Sequence, residues 1–267
     1  MGVINLTPDS FSDGGRFVAP AAAVAEACRQ LAWGADVLDL GAQSTRPGAE
    51  EIGAEAEIRR LLPALQAIRA AAPAAVVSVD TFHGAVAEAA LAAGADWIND
   101  VSGGRRDPAI LRLVAAAGCP YVLMHSRGDS RSMDQQARYG AVGREVCQEL
   151  LRATDRALAA GVRPQQLLWD PGLGFAKTVE HNLALLASLE DLVAEGFPLL
   201  VGPSRKRFIG AVLNEPRPRA RLWGTAAVCC RAIAAGAAVL RVHDVGPIVQ
   251  TARMADALWA SAAPVSP

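Results

Sequence analysis

One theme recurs along this chain: a small-residue stretch, a short apolar run, then a polar cluster. It is plain in WGADVLDLGAQST, AGADWINDVSGG, AGCPYVLMHSR and AGAAVLRVHDV, and fainter in APAAVVSVDTFH, PQQLLWDPGLGF and GFPLLVGPSRK. Each apolar run has four to six residues and no strict alternation. Such runs suit strands buried on both faces of a parallel sheet. The expected strands are 2–5, 36–41, 75–80, 96–100, 120–125, 166–170, 198–203 and 238–243. Between them lie segments of helical period. Residues 19–34 set Val24, Cys28 and Leu31 on one face, and 51–71 set Ile58, Leu61, Leu62, Leu65 and Ile68. Residues 140–161 carry Val142, Val146, Leu150 and Leu158, and 245–259 follow the last strand. Apolar residues at i, i+3, i+4 spacing mark amphipathic helices. Strict βα alternation implies a parallel sheet with right-handed crossovers, and eight units close naturally into a barrel. The expected fold is therefore α/β, a (β/α)₈ TIM barrel, with 1–267 as one domain and 259–267 as a frayed tail. The open doubly wound alternative lacks support, because no G-x-G-x-x-G follows any strand. The first strand reads as short for a barrel, so it either starts ragged or is completed by residues upstream.

The composition allows a sizeable core: 52% of residues are hydrophobic and 20% charged, which argues against disorder. Lys+Arg number 26 and Asp+Glu 27, for a net charge of -1. No basic stripe is present to meet a nucleic-acid backbone or an anionic membrane surface, so neither is an expected partner. The five cysteines, Cys28, Cys119, Cys147, Cys229 and Cys230, show no metal-ligand spacing and read as buried free thiols in a reducing compartment. The opening MGVINLTPDS carries neither a basic n-region nor an apolar h-region, and no apolar stretch of about 20 residues occurs. A soluble, cytoplasmic protein is expected.

Barrel enzymes place their chemistry at the C-terminal ends of the strands. Those ends here carry Asn5; Ser44, Thr45 and Arg46; Asp80; Asn99 and Asp100; Met124 and His125; Asp170 and Lys177; Ser204, Arg205 and Lys206; and Arg241, His243 and Asp244. Loops that only reverse the chain favour Gly, Pro, Asn and Asp, with no need of Lys, Arg or His. Lys177 and Lys206 are the chain's two lysines, and both fall on this face. Arg46, Arg205, Lys206, Arg241 and His243 form a donor set suited to a phosphate or diphosphate. Asn5, with Asp9 and Asp13 nearby, offers oxygen ligands for a phosphate-bridging Mg²⁺. Asp80, Asp170 and Asn99 offer acceptors and an amide to a ligand edge such as an aminopyrimidinone, and Met124 and Phe175 could cover an aromatic face. Taken singly, the same residues have plainer roles. A strand-end Asp is more often a helix N-cap, and Asp80 before Thr81-Phe82-His83 fits that role. Asn99-Asp100 fits ordinary turn chemistry, His83 and His125 fit structural roles, His181 reads as solvent-exposed, and the five tryptophans fit core or interface. The set taken together is what points to a site.

The segments NLTPDSFSDGG (Asn5 to Gly15), STRPG (Ser44 to Gly48), VSVDTF (Val77 to Phe82), INDVSGG (Ile98 to Gly104), DPGLGFAK (Asp170 to Lys177), GPSRKRFIG (Gly202 to Gly210) and RVHDV (Arg241 to Val245) resemble, in order, those of the dihydropteroate synthases. The resemblance covers essentially the whole chain and implies the same barrel. It implies that 4-aminobenzoate is joined to 6-hydroxymethyl-7,8-dihydropterin diphosphate, with Mg²⁺, giving 7,8-dihydropteroate and pyrophosphate in folate biosynthesis. It also implies sulfonamide targeting and a homodimer, for which residues 220–236 and 245–259 offer an apolar surface. By family motif, Asp80, Asn99 and Asp170 would hold the pterin, assisted by Met124 and Lys206. Asn5, Arg46, Arg241 and His243 would hold the diphosphate, and Asn5 would also ligate Mg²⁺. Thr45, Pro47, Phe11, Phe175 and Lys206 would shape the aminobenzoate pocket, with Ser204 beside them. The catalytic set implied is Asp80, Asp170, Lys206, Arg241 and His243. Two positions depart from the common pattern: Arg207 stands where many relatives carry Ser, and Gln43 where Glu is common.

Three other readings compete. A pterin-binding methyltransferase barrel would share the pterin pocket but would not need STRPG, SRK and RVH together. A non-catalytic pterin-binding paralogue should have lost Asn5, Arg46, Lys206 or His243, and none is lost. A phosphate-binding barrel lyase or isomerase is what the residues alone support without the resemblance.

Overall fold

A computed structural model describes residues 1–7, 20–44 and 48–260. Its strands are β1 (Gly2–Asn5), β2 (Val37–Gly41), β3 (Val76–Asp80), β4 (Trp97–Asp100), β5 (Tyr121–Met124), β6 (Leu167–Asp170), β7 (Leu200–Val201) and β8 (Val239–Leu240). The helices are α1 (Pro20–Ala32), α2 (Ala54–Ala71), α3 (Gly84–Ala92), α4 (Ala109–Ala117), α5 (Val142–Ala159), α6 (Val179–Ala187), α7 (Leu189–Val193), α8 (Arg207–Val212), α9 (Leu222–Ala234) and α10 (Val245–Ala260).

Strands β1 to β6 pair in parallel in chain order, and β7 pairs with β8. Two seams close the ring. Trp169 N–H donates to the Pro198 carbonyl at 2.9 Å, joining β6 to the entry of β7. Val3 N–H donates to Val242 O at 2.9 Å, and Val242 N–H to Met1 O at 2.9 Å, joining β8 to β1. The result is the TIM barrel expected from the repeat. Strands β7 and β8 are shorter than the 198–203 and 238–243 read from the sequence, because the ladder at the seams is reduced to isolated bridges.

The apolar material divides into layers. Outward-facing Leu38, Leu40, Val77, Val79, Ile98, Tyr121, Leu123 and Trp169 pack against helix residues such as Leu61, Leu65, Ile68, Ile110, Val146 and Leu150. Inside the barrel, Val122, Leu168 and Leu200 form a separate plug with Met1, Trp97 and Val239 packed on it. Above the plug the strands turn polar. The register sets Val3, Asp39, Ser78 and Trp97 level with one another, and Asn5, Gly41, Asp80 and Asn99 at a second level.

Several helix-face and surface expectations need correction. In α1 the buried stripe is Ala23, Ala27 and Gln30, whereas Cys28 is exposed. The two alanines let α1 pack closely, and the Gln30 amide nitrogen donates to Val3 O at 3.0 Å and Glu26 Oε1 at 2.8 Å, while its buried carbonyl oxygen meets no donor. In α5 the stripe continues through Ala153, Thr154 and Ala157, which leaves Leu158 on the outer side. Thr154 is buried because its hydroxyl accepts the indole N–H of Trp169 at 2.9 Å. Of the cysteines, Cys119 and Cys229 are buried, while Cys147 and Cys230 are half-buried. Trp169 belongs to the core, whereas Trp33, Trp223 and Trp259 are exposed. His181 is half-buried rather than solvent-exposed, capping α6 through Thr178 and meeting Tyr139 edge-on. Among the described residues no helix is long and apolar enough to cross a membrane.

Glu57, in the first turn of α2, is 1% exposed, and neither of its carboxyl oxygens meets a donor in hydrogen-bonding geometry. Burial pushes its carboxyl up to about 8, with the Thr81 hydroxyl working the other way and Asp80 and Glu51 repelling its charge. The linkage has a definite sign. The unfolded chain releases this proton near the ordinary carboxylate value of 4.5, so the folded state is penalised increasingly from there up to about pH 8. Replacing Glu57 by Gln removes the penalty. Thermal melts of the Glu57→Gln variant should show a gain in Tm that is small at pH 4.5 and widens towards pH 8.

Candidate active site

The polar layer above the plug is organised by Arg241, which follows β8. Its Nε donates to Asp39 Oδ2 at 2.6 Å and its Nη2 to Asp80 Oδ2 at 2.7 Å. Asp39 is wholly buried and Asp80 nearly so. Asp39 also accepts from the Ser78 hydroxyl at 2.6 Å and from Asn99 Nδ2 at 3.3 Å. Charges this deep are tolerated only when paired and hydrogen-bonded. Burial pushes the Asp80 carboxyl up, Arg241 pulls it down, and Asp39 and Asp100 push it up again. Burial works against the Arg241 charge, but the two carboxylates more than offset it and raise its pKa.

Across the mouth stands Asp170, at the end of β6 and buried. Its Oδ1 accepts the Gly172 N–H at 2.7 Å. Burial raises its pKa, opposed by that bond and by Lys206, Arg241 and Lys177. Lys206 lies beyond β7 at the N-cap of α8, with its Nζ 4.2 Å from the centre of the Phe175 ring. Desolvation lowers the Lys206 ammonium to about 8, with Asp170 and Asp80 opposing. Met124, 4% exposed, ends β5 opposite Asp170 in the ladder. Gly202 lies between the two sides of the mouth: a Cβ there would stand 3.9 Å from both Arg241 Cβ and Asp170 Oδ2.

The loop after β6 is held from below. Lys177 Nζ donates to Gly172 O at 3.0 Å and Phe175 O at 3.1 Å, and meets His125 Nδ1 at 3.0 Å. His125 Nε2 lies 3.0 Å from Glu149 Oε2, and Arg127 bridges Glu149 and Glu145. Burial and the Lys177 charge lower His125 to about 4, so its neutral ring takes the Lys177 proton donor on Nδ1 and donates from Nε2 to Glu149. Desolvation lowers Lys177 itself to about 7. Both residues thus build the loop that presents Asp170 and Phe175.

Ser204 is buried, with its hydroxyl 3.0 Å from His243 Nδ1 and accepting the His243 N–H at 3.1 Å. Arg205 donates from Nε to Asp244 at 3.0 Å and from Nη2 at 2.6 Å, so it ties the β7 and β8 loops rather than offering itself as a phosphate donor. Arg207 pairs with Asp134 at 2.7 Å on the surface. Gln43 donates to Ser44 O at 2.8 Å and Glu50 O at 3.0 Å and accepts Ile52 N–H at 2.9 Å. An amide can both donate and accept, so it clamps the two stems of this loop where a carboxylate could only accept.

Asp80, Asn99, Met124, Asp170, Phe175, Lys206 and Arg241 therefore meet at one mouth, with Ser204 and His243 beside them. Asn5 ends β1, half-buried and level with Gly41 and Asp80. Phe11, Thr45, Arg46 and Pro47 lie outside the described residues, as do Asp9 and Asp13. Asp80 is no helix cap: α3 begins at Gly84, whose N–H is taken by Asp107 at 2.7 Å. Asp100 points away from the mouth and accepts from Ser102 N, Gly104 N and the Tyr121 hydroxyl. Reading strand ends alone misses Asp39 and Ser78. Their signal is a polar residue inside an apolar run, VLDLG and VVSVD, where only a fixed partner makes burial affordable.

The model of the pterin binding enzyme family matches residues 1–243. The chain belongs to that family. Among curated relatives, the dihydropteroate synthase of Synechocystis is 48% identical, covering 97% of this chain and 89% of the relative. Among solved structures, Xanthomonas albilineans dihydropteroate synthase with 4-aminobenzoic acid superposes with a TM-score of 0.90 at 42% identity, covering 99% of this chain and 93% of that one. The same enzyme in complex with 7,8-dihydropteroate gives a TM-score of 0.86 at 39% identity, covering 99% and 93%.

The mouth depends on one glycine. Gly172 has φ +67°, and a Cβ there would fall 1.9 Å from His125 O. Gly172→Ala combines a left-handed backbone with a backbone collision. It should lose more than about 1 kcal/mol in denaturant titrations and should displace Asp170 and Phe175.

Proposed function

We propose that this chain is a dihydropteroate synthase, a transferase of folate biosynthesis that joins 4-aminobenzoate to 6-hydroxymethyl-7,8-dihydropterin diphosphate. The observation that carries the reading is the convergence of Asp80, Asn99, Asp170, Lys206 and Arg241 at one barrel mouth, in a chain whose solved relatives hold 4-aminobenzoic acid and 7,8-dihydropteroate.

In this reading the two buried aspartates and the Asn99 amide take the polar edge of the pterin, whose parallel N–H donors satisfy carboxylates that water does not reach. Phe175, with the Lys206 ammonium over its ring, walls the aminobenzoate side. Arg241 and His243, with Arg46, hold the diphosphate. The bond between the pterin methylene and the diphosphate oxygen breaks, and its electron pair leaves on the diphosphate. The amine lone pair of 4-aminobenzoate forms the new C–N bond, and the nitrogen releases one proton to solvent or to the departing diphosphate. The arylamine is neutral at pH 7, so no strong base is needed. The pterin cation that develops as the diphosphate leaves is stabilised by the negative charge of Asp80 and Asp170.

Mg²⁺ is part of the proposal. A small hard cation keeps most of its waters and takes one or two protein oxygens plus substrate phosphate. The chain fits that mode: Asn5 ends β1 with an amide oxygen. Asn5 would hold the ion, which when bound would neutralise diphosphate charge. The free thiols suit a reducing cytoplasm, where we place the protein.

Pyrophosphate release is the test. With the dihydropterin diphosphate and Mg²⁺, release should require 4-aminobenzoate and yield dihydropteroate, and should stop with EDTA. Lys206→Ala should lower kcat/KM at least about 100-fold. Release independent of 4-aminobenzoate, or none from folded protein, would sink the reading.

We also propose a homodimer through α9 and α10. Trp33, Leu222, Trp223, Met254, Leu258 and Trp259 line one groove there, with Trp223 77% exposed. An apolar face of this kind on a soluble chain calls for a partner surface. Light scattering should give twice the 27.8 kDa chain mass, and Trp223→Glu should give the monomer. A monomeric wild type would remove the proposal.

A further inference from the structure

Asp39 is the most completely buried charge of the mouth. It has no exposed surface, so it does not touch a substrate. Instead it gathers three groups that belong to the site or support it: Arg241 Nε at 2.6 Å, the Ser78 hydroxyl at 2.6 Å and Asn99 Nδ2 at 3.3 Å. Arg241 is the only one of the three that carries charge, and Asp80 holds the other side of the same guanidinium at 2.7 Å. One guanidinium therefore serves two carboxylates, with the Met1 ammonium also acting on Asp39 and the Lys206 ammonium on Asp80.

We propose that Asp39 is a positioning residue which holds Arg241 and Asn99 in place and, by taking a share of the guanidinium, leaves the Asp80 carboxylate only partly neutralised. The consequence is chemical. A carboxylate fully paired with Arg241 would have little charge left to offer a cationic pterin. One that shares its partner keeps a net field directed into the mouth. Asp39 thus divides the charge of Arg241 between anchoring and catalysis.

The surroundings of Asp80 support this division. The charged and titratable groups acting on it are Asp39 from β2, Glu57 from α2, Asp100 from β4, Lys206 after β7 and Arg241 after β8, with Asp170 acting on the same Arg241 and Lys206. Asp100 spends its carboxylate on Ser102, Gly104 and Tyr121. Arg241 is hydrogen-bonded to both Asp39 and Asp80, so Asp39 is the neighbour that competes for Asp80's own counter-charge. Burial and the Asp39 charge act together to keep the Asp80 proton bound more tightly than in an exposed aspartate.

The test reads Asp80 directly. In full-length protein labelled with ¹³C at aspartate Cγ, the Asp80 resonance is identified by its loss in Asp80→Asn and followed against pH. In Asp39→Asn, Arg241 serves Asp80 alone and the like charge is gone. The Asp80 midpoint should fall by about one pH unit or more, and the acid limb of kcat/KM should follow it down. Ser78→Ala keeps the Asp39 charge and removes a donor from it. Asp39 then draws harder on Arg241, and the Asp80 midpoint should rise. Circular dichroism and melts establish that each variant is folded. If Asp39→Asn is folded it decides: a lower midpoint supports the proposal, and an unmoved or higher one overturns it. If it does not fold, Ser78→Ala decides: a higher midpoint supports the proposal, and an unmoved or lower one overturns it. A purely structural role would leave both titrations where they are. The catalytic consequence rests on the synthase reading, but the titration does not. Wild type without turnover would sink that reading while leaving this inference to the NMR result.

Discussion

The rest of the site depends on one guanidinium held between two buried carboxylates. Arg241 reaches Asp39 on β2 and Asp80 on β3 from the far end of the chain, 202 and 161 residues away. None of the three charges is tolerable at that depth alone, because removing one partner leaves an uncompensated ion in a medium that solvates it poorly. A pair of this kind adds little net stability. It acts as a constraint: Arg241 is tied to β2 and β3 across the β8–β1 closure of the ring, so the mouth and the closed barrel share the same geometry.

The interior is graded to make that arrangement possible. Val122, Leu168, Leu200, Val239, Trp97 and Met1 fill the lower barrel and exclude water from beneath. The polar level sits directly on this plug. Low dielectric below strengthens each charge interaction there. The outer shell does different work: it joins strands to helices and holds the strand ends at fixed spacing. Loops complete the site under tight local control, as the segment after β6 shows. Lys177 holds two of that segment's carbonyls, and the left-handed glycine at 172 passes against the backbone of the neighbouring loop.

Much of this was legible in the linear order of residues. A two-sided buried strand has to be a short unbroken apolar run, so the strands stood out even where β7 and β8 form only a bridge-length ladder. Asp80, Asn99, Asp170 and Lys206 were visible because they lie just past such runs, where a chain that merely turns has no need of them. Asp39 was hidden by the same logic, since it lies within a run and its three partners come from β3, β4 and the residue after β8. Helix faces were the least legible. Alanine packs as well as valine when helices approach closely, so the stripe of α1 runs through Ala23 and Ala27 and leaves Cys28 outside. His181 read as exposed because its partner, Tyr139, is 42 residues away in sequence and adjacent only in the fold.

The sequence by itself determined the eight-fold βα alternation, the buried strands and the face on which chemistry would collect. These follow from local hydrophobic period and from residues whose polarity is unneeded in a turn. Only the tertiary structure decided which polar residues share a charge. It turned Arg205 to Asp244 and Asp100 to Tyr121, and it set Arg241 between Asp39 and Asp80. The physical reason is that Coulomb and hydrogen-bond energies depend on distance in space, and the closed barrel sets those distances between residues the chain keeps far apart.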